Sequence, residues 1–201
     1  MITLPPGLEA SLSATAAPRV LLLRHADRHP MPTGSGDDLD LTADGEARAR
    51  LLDRRLGDGP RWALTSPLLR CRRTADLANF AADASPLLGA PGPFVVDRAR
   101  GVQVFETHGT DAVVRAHLRG ETWGCMRPPA EGTHIVLAEL GQHLATRPGT
   151  GLAVSHDAIV MPIVACLTDE LFTDDWLAPL DGLVLTRDAV FWRGRPYEVN
   201  P

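Results

Sequence analysis

The chain is punctuated by short runs of consecutive apolar residues, at 20–23, 62–65, 152–155 and 183–186. None is long enough for a helix, and none alternates strictly with polar residues. Each predicts a strand, and the first three predict strands buried on both faces. Longer segments between them carry helical signals. Thr42 predicts the N-cap of a helix over 43–56, with Asp44 and Glu46 in its first turn, Ala47, Leu51, Leu52 and Leu56 as its apolar stripe, and Gly57 as its stop. Ser66-Pro67 predicts a helix over 67–82, and Thr133 caps another that carries Ile135, Val136, Leu140 and Leu144. Helices are also expected over 111–118 and through Ile159, Val160 and Val164. Residues 94–97 or 102–105 supply a third strand, and 183–186 with 189–192 form a terminal hairpin around Arg187-Asp188. Residues 1–18 read as an irregular lead-in with a helical turn near 8–12, and 26–40, 83–93 and 119–132 read as loops. Alternating strands and helices imply an α/β fold, a three-layer α/β/α sandwich around a mostly parallel central sheet with an antiparallel edge, built as a single domain over 1–201.

Composition narrows the function. The 201 residues are 44% hydrophobic, which suits one core. A net charge of −5 supplies no basic excess to release counterions, so neither nucleic acid nor an anionic membrane is an expected partner. All 20 basic residues are arginine, and the absence of lysine excludes Schiff-base and Walker-type lysine chemistry. Cys71, Cys125 and Cys166 are scattered and odd in number, as reduced thiols in a cytoplasm are. No apolar run reaches the ~18 residues of a membrane span, and 1–18 lacks a signal-peptide pattern, so the expected compartment is cytoplasmic.

Chemistry gathers where strands end. Arg24 and His25 follow the first strand, Ser66 and then Arg70 the second, and His156-Asp157 a later one. Ligands of open α/β sheets bind beyond the carboxyl ends of the strands. A guanidinium fits phosphate oxygens, and an imidazole can act as nucleophile or base near neutral pH. Three polar sets converging independently point to phosphoryl chemistry. Four histidines, His25, His29, His108 and His156, are the material for a competing metal-hydrolase reading, but Pro30 and the composition of the loop argue against His25 and His29 sharing a helix face.

The same residues resemble the histidine phosphatase superfamily, whose fold is called phosphoglycerate-mutase-like. Leu23-Arg24-His25-Ala26 stands for its Arg-His-Gly signature with alanine in place of glycine, and Leu41-Thr42-Ala43-Asp44-Gly45 for the loop and helix that follow. Residues 66–75 stand for its second motif and Val154-Ser155-His156-Asp157 for its third. The resemblance implies His25 as a nucleophile that becomes phosphohistidine, and Arg24, Arg70 and His156 as the pocket for the phosphoryl oxygens. Two features resemble the acid-phosphatase branch: Arg24-His25-x-x-Arg28-x-Pro30 adds Arg28 to the pocket, and His156-Asp157 makes Asp157 the proton donor. In the mutase-like branch a glutamate after the third strand donates, and Glu106 stands in that place. Asp157 ranks ahead of Glu106, and either carboxyl would need a raised pKa to donate.

The implied enzyme is a metal-independent phosphoric monoester hydrolase acting on a small phosphorylated metabolite, with no cofactor. A phosphomutase, a phosphoprotein (phosphohistidine) phosphatase and a non-catalytic phosphate-binding domain are the alternatives. Trp62, Trp176 and Trp192 are expected in the core, whereas Trp123 and Arg127 could stack on and bind a substrate. Arg98, Arg100, Arg115 and Arg119 are candidates for a specificity rim, and His134 and His143 are expected at a solvated helix surface. Substrate identity and oligomeric state stay open.

Overall fold

A computed structural model describes residues 2–30, 38–89, 92–172 and 175–198. One seven-stranded sheet has the order β3-β2-β4-β1-β5-β6-β7. Its parallel half comprises β1 (Arg19–Arg24), β2 (Arg61–Thr65), β3 (Ala82–Ala84) and β4 (Thr150–Ser155). β5 (Gly182–Leu185), β6 (Val190–Trp192) and β7 (Arg195–Tyr197) continue it antiparallel. The central strands are apolar on both faces because both faces are covered. Val20 and Leu22 of β1 pack into one core while Leu21 and Leu23 pack into the other. That period of two is what side-chain alternation in a strand requires.

One layer holds α1 (Pro6–Ala14), α2 (Ala43–Leu56) and α3 (Leu69–Leu77), whose Leu8, Leu12, Leu52, Cys71 and Ala75 lie in the core with Leu21 and Leu23. The other core holds Val113 and Val114 of α5 (Thr110–Leu118), Val136 and Leu140 of α6 (Pro129–Thr146), and Ile159 to Val164 of α7 (Asp157–Thr168). α4 (Arg98–His108) leads into α5. The α/β sandwich with a mixed, centrally parallel sheet is therefore present. Among the described residues no helix is long and apolar enough to cross a membrane.

Several boundaries differ from the sequence expectation. The lead-in is a nine-residue helix, α1, because Leu4, Leu8 and Leu12 have a core to enter. Thr42 does cap α2, its Oγ1 accepting from Gly45 N at 3.1 Å, but the buried stripe is Gly45, Ala49 and Leu52. Gly45 has no room for a side chain, since a Cβ there would meet the Asp27 carbonyl at 2.1 Å, so the loop after His25 lies directly on α2. α3 starts at Leu69 because the Ser66 hydroxyl serves a histidine as well as the Leu68 N–H. Thr133 is buried inside α6, which begins at Pro129.

The third-strand expectation is wrong in both of its versions. Residues 102–105 lie within α4, which Asp97 caps by accepting from Arg100 N at 3.1 Å and Gly109 stops at φ 77°. Strong stop signals at both ends outweigh the alternation of Val102-Gln103-Val104-Phe105. Of 94–97, only Val95 forms a bridge, to Met126. The strand on the outer edge of β2 is β3, from the stretch read as helix end and loop.

Candidate active site

Backbone register builds the site. β1 pairs with β4 so that Arg24 faces Ser155, and the His25 N–H donates to the Ser155 carbonyl at 2.9 Å. β2 pairs with β4 on its other edge, and Ser66 N donates to the Val154 carbonyl at 2.9 Å. His25, Ser66 and His156 are thereby the residues that follow three adjacent parallel strands. All three are buried, and the His25 and His156 rings meet edge to face with centroids 5.5 Å apart.

The protonation of His25 follows from its partner. Its Nδ1 lies 2.7 Å from the Ala26 carbonyl, which can only accept, so Nδ1 carries the proton and Nε2 keeps a lone pair. Burial, reinforced by the guanidinium charges of Arg70 and Arg24 against the Ala26 bond and Asp157, pushes the pKa down to about 3. A neutral imidazole with a free Nε2 is the form that can attack. Ala26 N donates to Thr74 Oγ1 at 3.1 Å, and that hydroxyl donates to the Arg70 carbonyl at 2.7 Å, so the nucleophile loop is tied to the helix that carries Arg70.

His156 is fixed in the same way. Arg70 Nη2 lies 3.3 Å from His156 Nδ1 and has only protons to offer, so Nδ1 accepts and Nε2–H donates to Ser66 Oγ at 2.8 Å. Burial and then the Arg70 charge hold His156 well below an ordinary histidine pKa. Cys71, in van der Waals reach at 3.6 Å from Nε2, has its thiol pushed up to about 12 by burial and stays protonated. A backbone turn closes over this ring. A Cβ at Gly89 would lie 2.6 Å from His156 Cδ2 and 2.9 Å from Ser66 Oγ.

Asp157 opens α7 and pairs with Arg24, Oδ2 to Nη2, at 3.1 Å. Its Oδ1 accepts from Ala158 N at 2.9 Å, and Oδ2 also accepts from Trp176 Nε1 at 2.9 Å. Burial alone would raise its pKa, but the Arg24 charge and then the Trp176 bond outweigh it and hold the carboxyl below its ordinary value. The other Arg24 nitrogen donates to the Leu177 carbonyl.

Of the seven candidates from sequence, Arg24, His25, Arg70, His156 and Asp157 come together and two do not. Arg28 donates to the His29 carbonyl at 2.9 Å, pairs through its backbone with Leu41, and has no hydrogen bond or ion pair to the cluster among the described residues. Glu106 is exposed on α4 and has no such bond either. The metal-hydrolase histidines also part: His29 is exposed and His108 stacks on Trp123 at 4.5 Å, away from the paired His25 and His156. Trp62 and Trp192 are core residues as expected, but Trp176 is only partly buried and holds Asp157. Trp123 packs against the core, and Arg127 Nε donates to the Pro93 carbonyl at 3.0 Å. His143 is half-buried between Glu139 and the Trp62 ring.

Residues 20–88 match the family model of the histidine phosphatase superfamily (branch 1). No curated protein sequence matches the chain. Among solved structures it is similar to the protein TTHB049 of Thermus thermophilus, at 24% identity over 90% of this chain and 97% of that one, with a TM-score of 0.51. It is also similar to a mycobacterial glucosyl-3-phosphoglycerate phosphatase in its native form, at 15% identity over 89% and 96% of the two chains, with a TM-score of 0.55. The same phosphatase with inorganic phosphate gives 15% identity over 90% and 95%, with a TM-score of 0.56. These likenesses establish the shared fold, and the model match covers the first strand, the Arg24-His25 turn and the segment through Arg70. By that match over residues 20–88 and by that fold, the chain is similar to the histidine phosphatase superfamily.

Proposed function

We propose that the protein hydrolyses phosphomonoesters of a small metabolite, without a metal, through a phosphohistidine on His25. The observation that carries this reading is the Nδ1–H bond from His25 to the Ala26 carbonyl, which leaves Nε2 unprotonated on a ring that meets His156 edge to face and feels the charges of Arg70 and Arg24. The Nε2 lone pair attacks phosphorus, the ester P–O bond breaks, and its electron pair leaves with the alkoxide oxygen. Two guanidinium groups offset the charge spread over the equatorial oxygens, and removing one such donor typically costs ~10²-fold or more in rate.

Asp157 supplies the proton that the departing oxygen takes. In the resting site Arg24 keeps that carboxyl charged. A phosphate dianion that engages Arg24 cancels this field and favours the protonated acid, so substrate itself arms the donor. In the second half-reaction the Asp157 carboxylate accepts a proton from water, the water oxygen attacks phosphorus, and the P–N bond breaks to restore His25. The match of residues 20–88 to the histidine phosphatase family model supports phosphatase or mutase chemistry at this site. One structural neighbour is a phosphatase of glucosyl-3-phosphoglycerate, itself a small phosphorylated molecule.

The test is phosphate release from a panel of phosphomonoesters at pH 5 to 8 with excess chelator, for wild type and His25→Ala. Release that survives chelator and vanishes in the variant is expected. Turnover without net phosphate release would indicate a mutase, and release abolished by chelator would overturn the mechanism.

A further inference from the structure

Asp157 is held from outside its own helix by Trp176, which the mechanism does not use. Trp176 Nε1–H donates to Oδ2 at 2.9 Å, the same oxygen that Arg24 contacts at 3.1 Å. The indole is itself braced. The Arg115 guanidinium of α5 lies 5.2 Å from the ring centroid, and its Nη1 donates to the Phe172 carbonyl at 2.5 Å. Arg115, carried by α5 and tied to Phe172, thus braces the ring, and the ring holds the carboxyl.

The two donors on Oδ2 differ in what they do once substrate arrives. Arg24 favours the charged carboxylate and is also the group a phosphate would engage. The indole N–H is uncharged and finds an oxygen lone pair on the carboxylate and on the carboxylic acid alike. It therefore holds the group through both protonation states, as a proton donor that must hand over and retrieve a proton requires.

We propose that Trp176, braced by Arg115, is a positioning residue that aims Asp157 at the leaving oxygen. This rests on the reading of Asp157 as the general acid. The contribution of a positioned acid grows as the leaving group becomes more basic, and kcat/KM reports the step in which the ester bond breaks.

The experiment measures kcat/KM for 4-nitrophenyl, phenyl and glycerol phosphates in wild type, Trp176→Phe, Asp157→Asn and the double variant, with thermal midpoints as a check on folding. Trp176→Phe leaves a smaller aromatic ring beside Arg115 and removes the donor. A loss of about tenfold on glycerol phosphate and under about twofold on 4-nitrophenyl phosphate is expected, of the size a small misplacement costs. Adding it to Asp157→Asn should cost nothing further on glycerol phosphate, because both changes act through one group. Arg115→Met keeps the donor and loosens the ring, and should give a smaller loss with the same leaving-group pattern. Equal losses on all three esters, or additive losses in the double variant, would overturn the assignment, since a merely structural role behaves that way. If Asp157→Asn is leaving-group dependent while Trp176→Phe is silent, the acid stands and Trp176 has no such role. If Asp157→Asn itself loses equally on all three esters, the acid reading fails and takes this assignment with it.

Discussion

Gly89→Ala should damage the site without replacing any residue that meets substrate. The added Cβ would stand 2.6 Å from His156 Cδ2, 2.8 Å from Nε2 and 2.9 Å from Ser66 Oγ, which places it across the His156–Ser66 hydrogen bond. Ordinary contact begins near 3.4 Å, so the ring must retreat by about 0.8 Å, and Arg70 at 3.3 Å on Nδ1 and Cys71 at 3.6 Å on Nε2 block the way. Splitting a buried hydrogen bond costs about 1–3 kcal/mol. The backbone adds strain of about 1–3 kcal/mol, because Gly89 sits at φ +142°. At about 2–4 °C per kcal/mol for a chain of this size, the thermal midpoint should fall by roughly 4–24 °C. The folded fraction should still turn over about 10²-fold more slowly, since a misplacement approaching 1 Å carries that penalty. Differential scanning fluorimetry and initial rates on 4-nitrophenyl phosphate below the new midpoint read the two effects separately. A midpoint within about 1 °C of wild type with a rate within about twofold would refute the packing argument, because the loop would then have yielded freely.

Two other outcomes follow from the same geometry. His25 is pushed down to about 3 by burial and by Arg70 and Arg24, against the Ala26 carbonyl and Asp157. The unfolded chain therefore binds the extra proton between that value and the ordinary histidine range near 6.5, and stability must fall as pH drops through this window. Each such histidine steepens the fall by up to about 1.4 kcal/mol per pH unit, so urea midpoints from pH 7 to 4 should decline less steeply in His25→Gln than in wild type; parallel declines would mean that His25 is not held neutral. Arg28→Ala and Glu106→Gln, which stand apart from the cluster, should each keep kcat/KM within about threefold, and a loss of 10²-fold in either would return that residue to the site.

What could be read from the sequence was whatever strand chemistry dictates. A buried apolar run that ends in Arg24-His25 or His156-Asp157 has one place to deliver those side chains, and the same logic located Ser66 and Arg70. The core pattern of β1, β2 and β4 was legible for the same reason. Arg28 and Glu106, assigned by family spacing, are the two candidates that no bond joins to the cluster among the described residues. Arg28 lies on a loop that folds back to pair with Leu41, and Glu106 lies on a helix where a strand was expected. Trp176 could not be found from sequence, since it reaches Asp157 across 19 residues with no periodicity between them. Ser66 looked like a helix cap, because a buried hydroxyl that serves a distant histidine carries the same local signature as one that serves its own helix. Gly89 gave no sign that the space it leaves open belongs to His156.

The central claim is that His25 Nε2 takes the phosphoryl group, and direct capture of the phosphoenzyme tests it. Wild type and His25→Ala would be mixed with 4-nitrophenyl phosphate under excess chelator, quenched in alkali within the first turnovers, and mapped by peptide mass spectrometry. A single phosphoryl group on His25, stable in alkali, lost in acid and missing from the variant, is the expected result. Phosphate release by His25→Ala at the wild-type rate, or a phosphoryl group on any other residue of the wild-type enzyme, would contradict it.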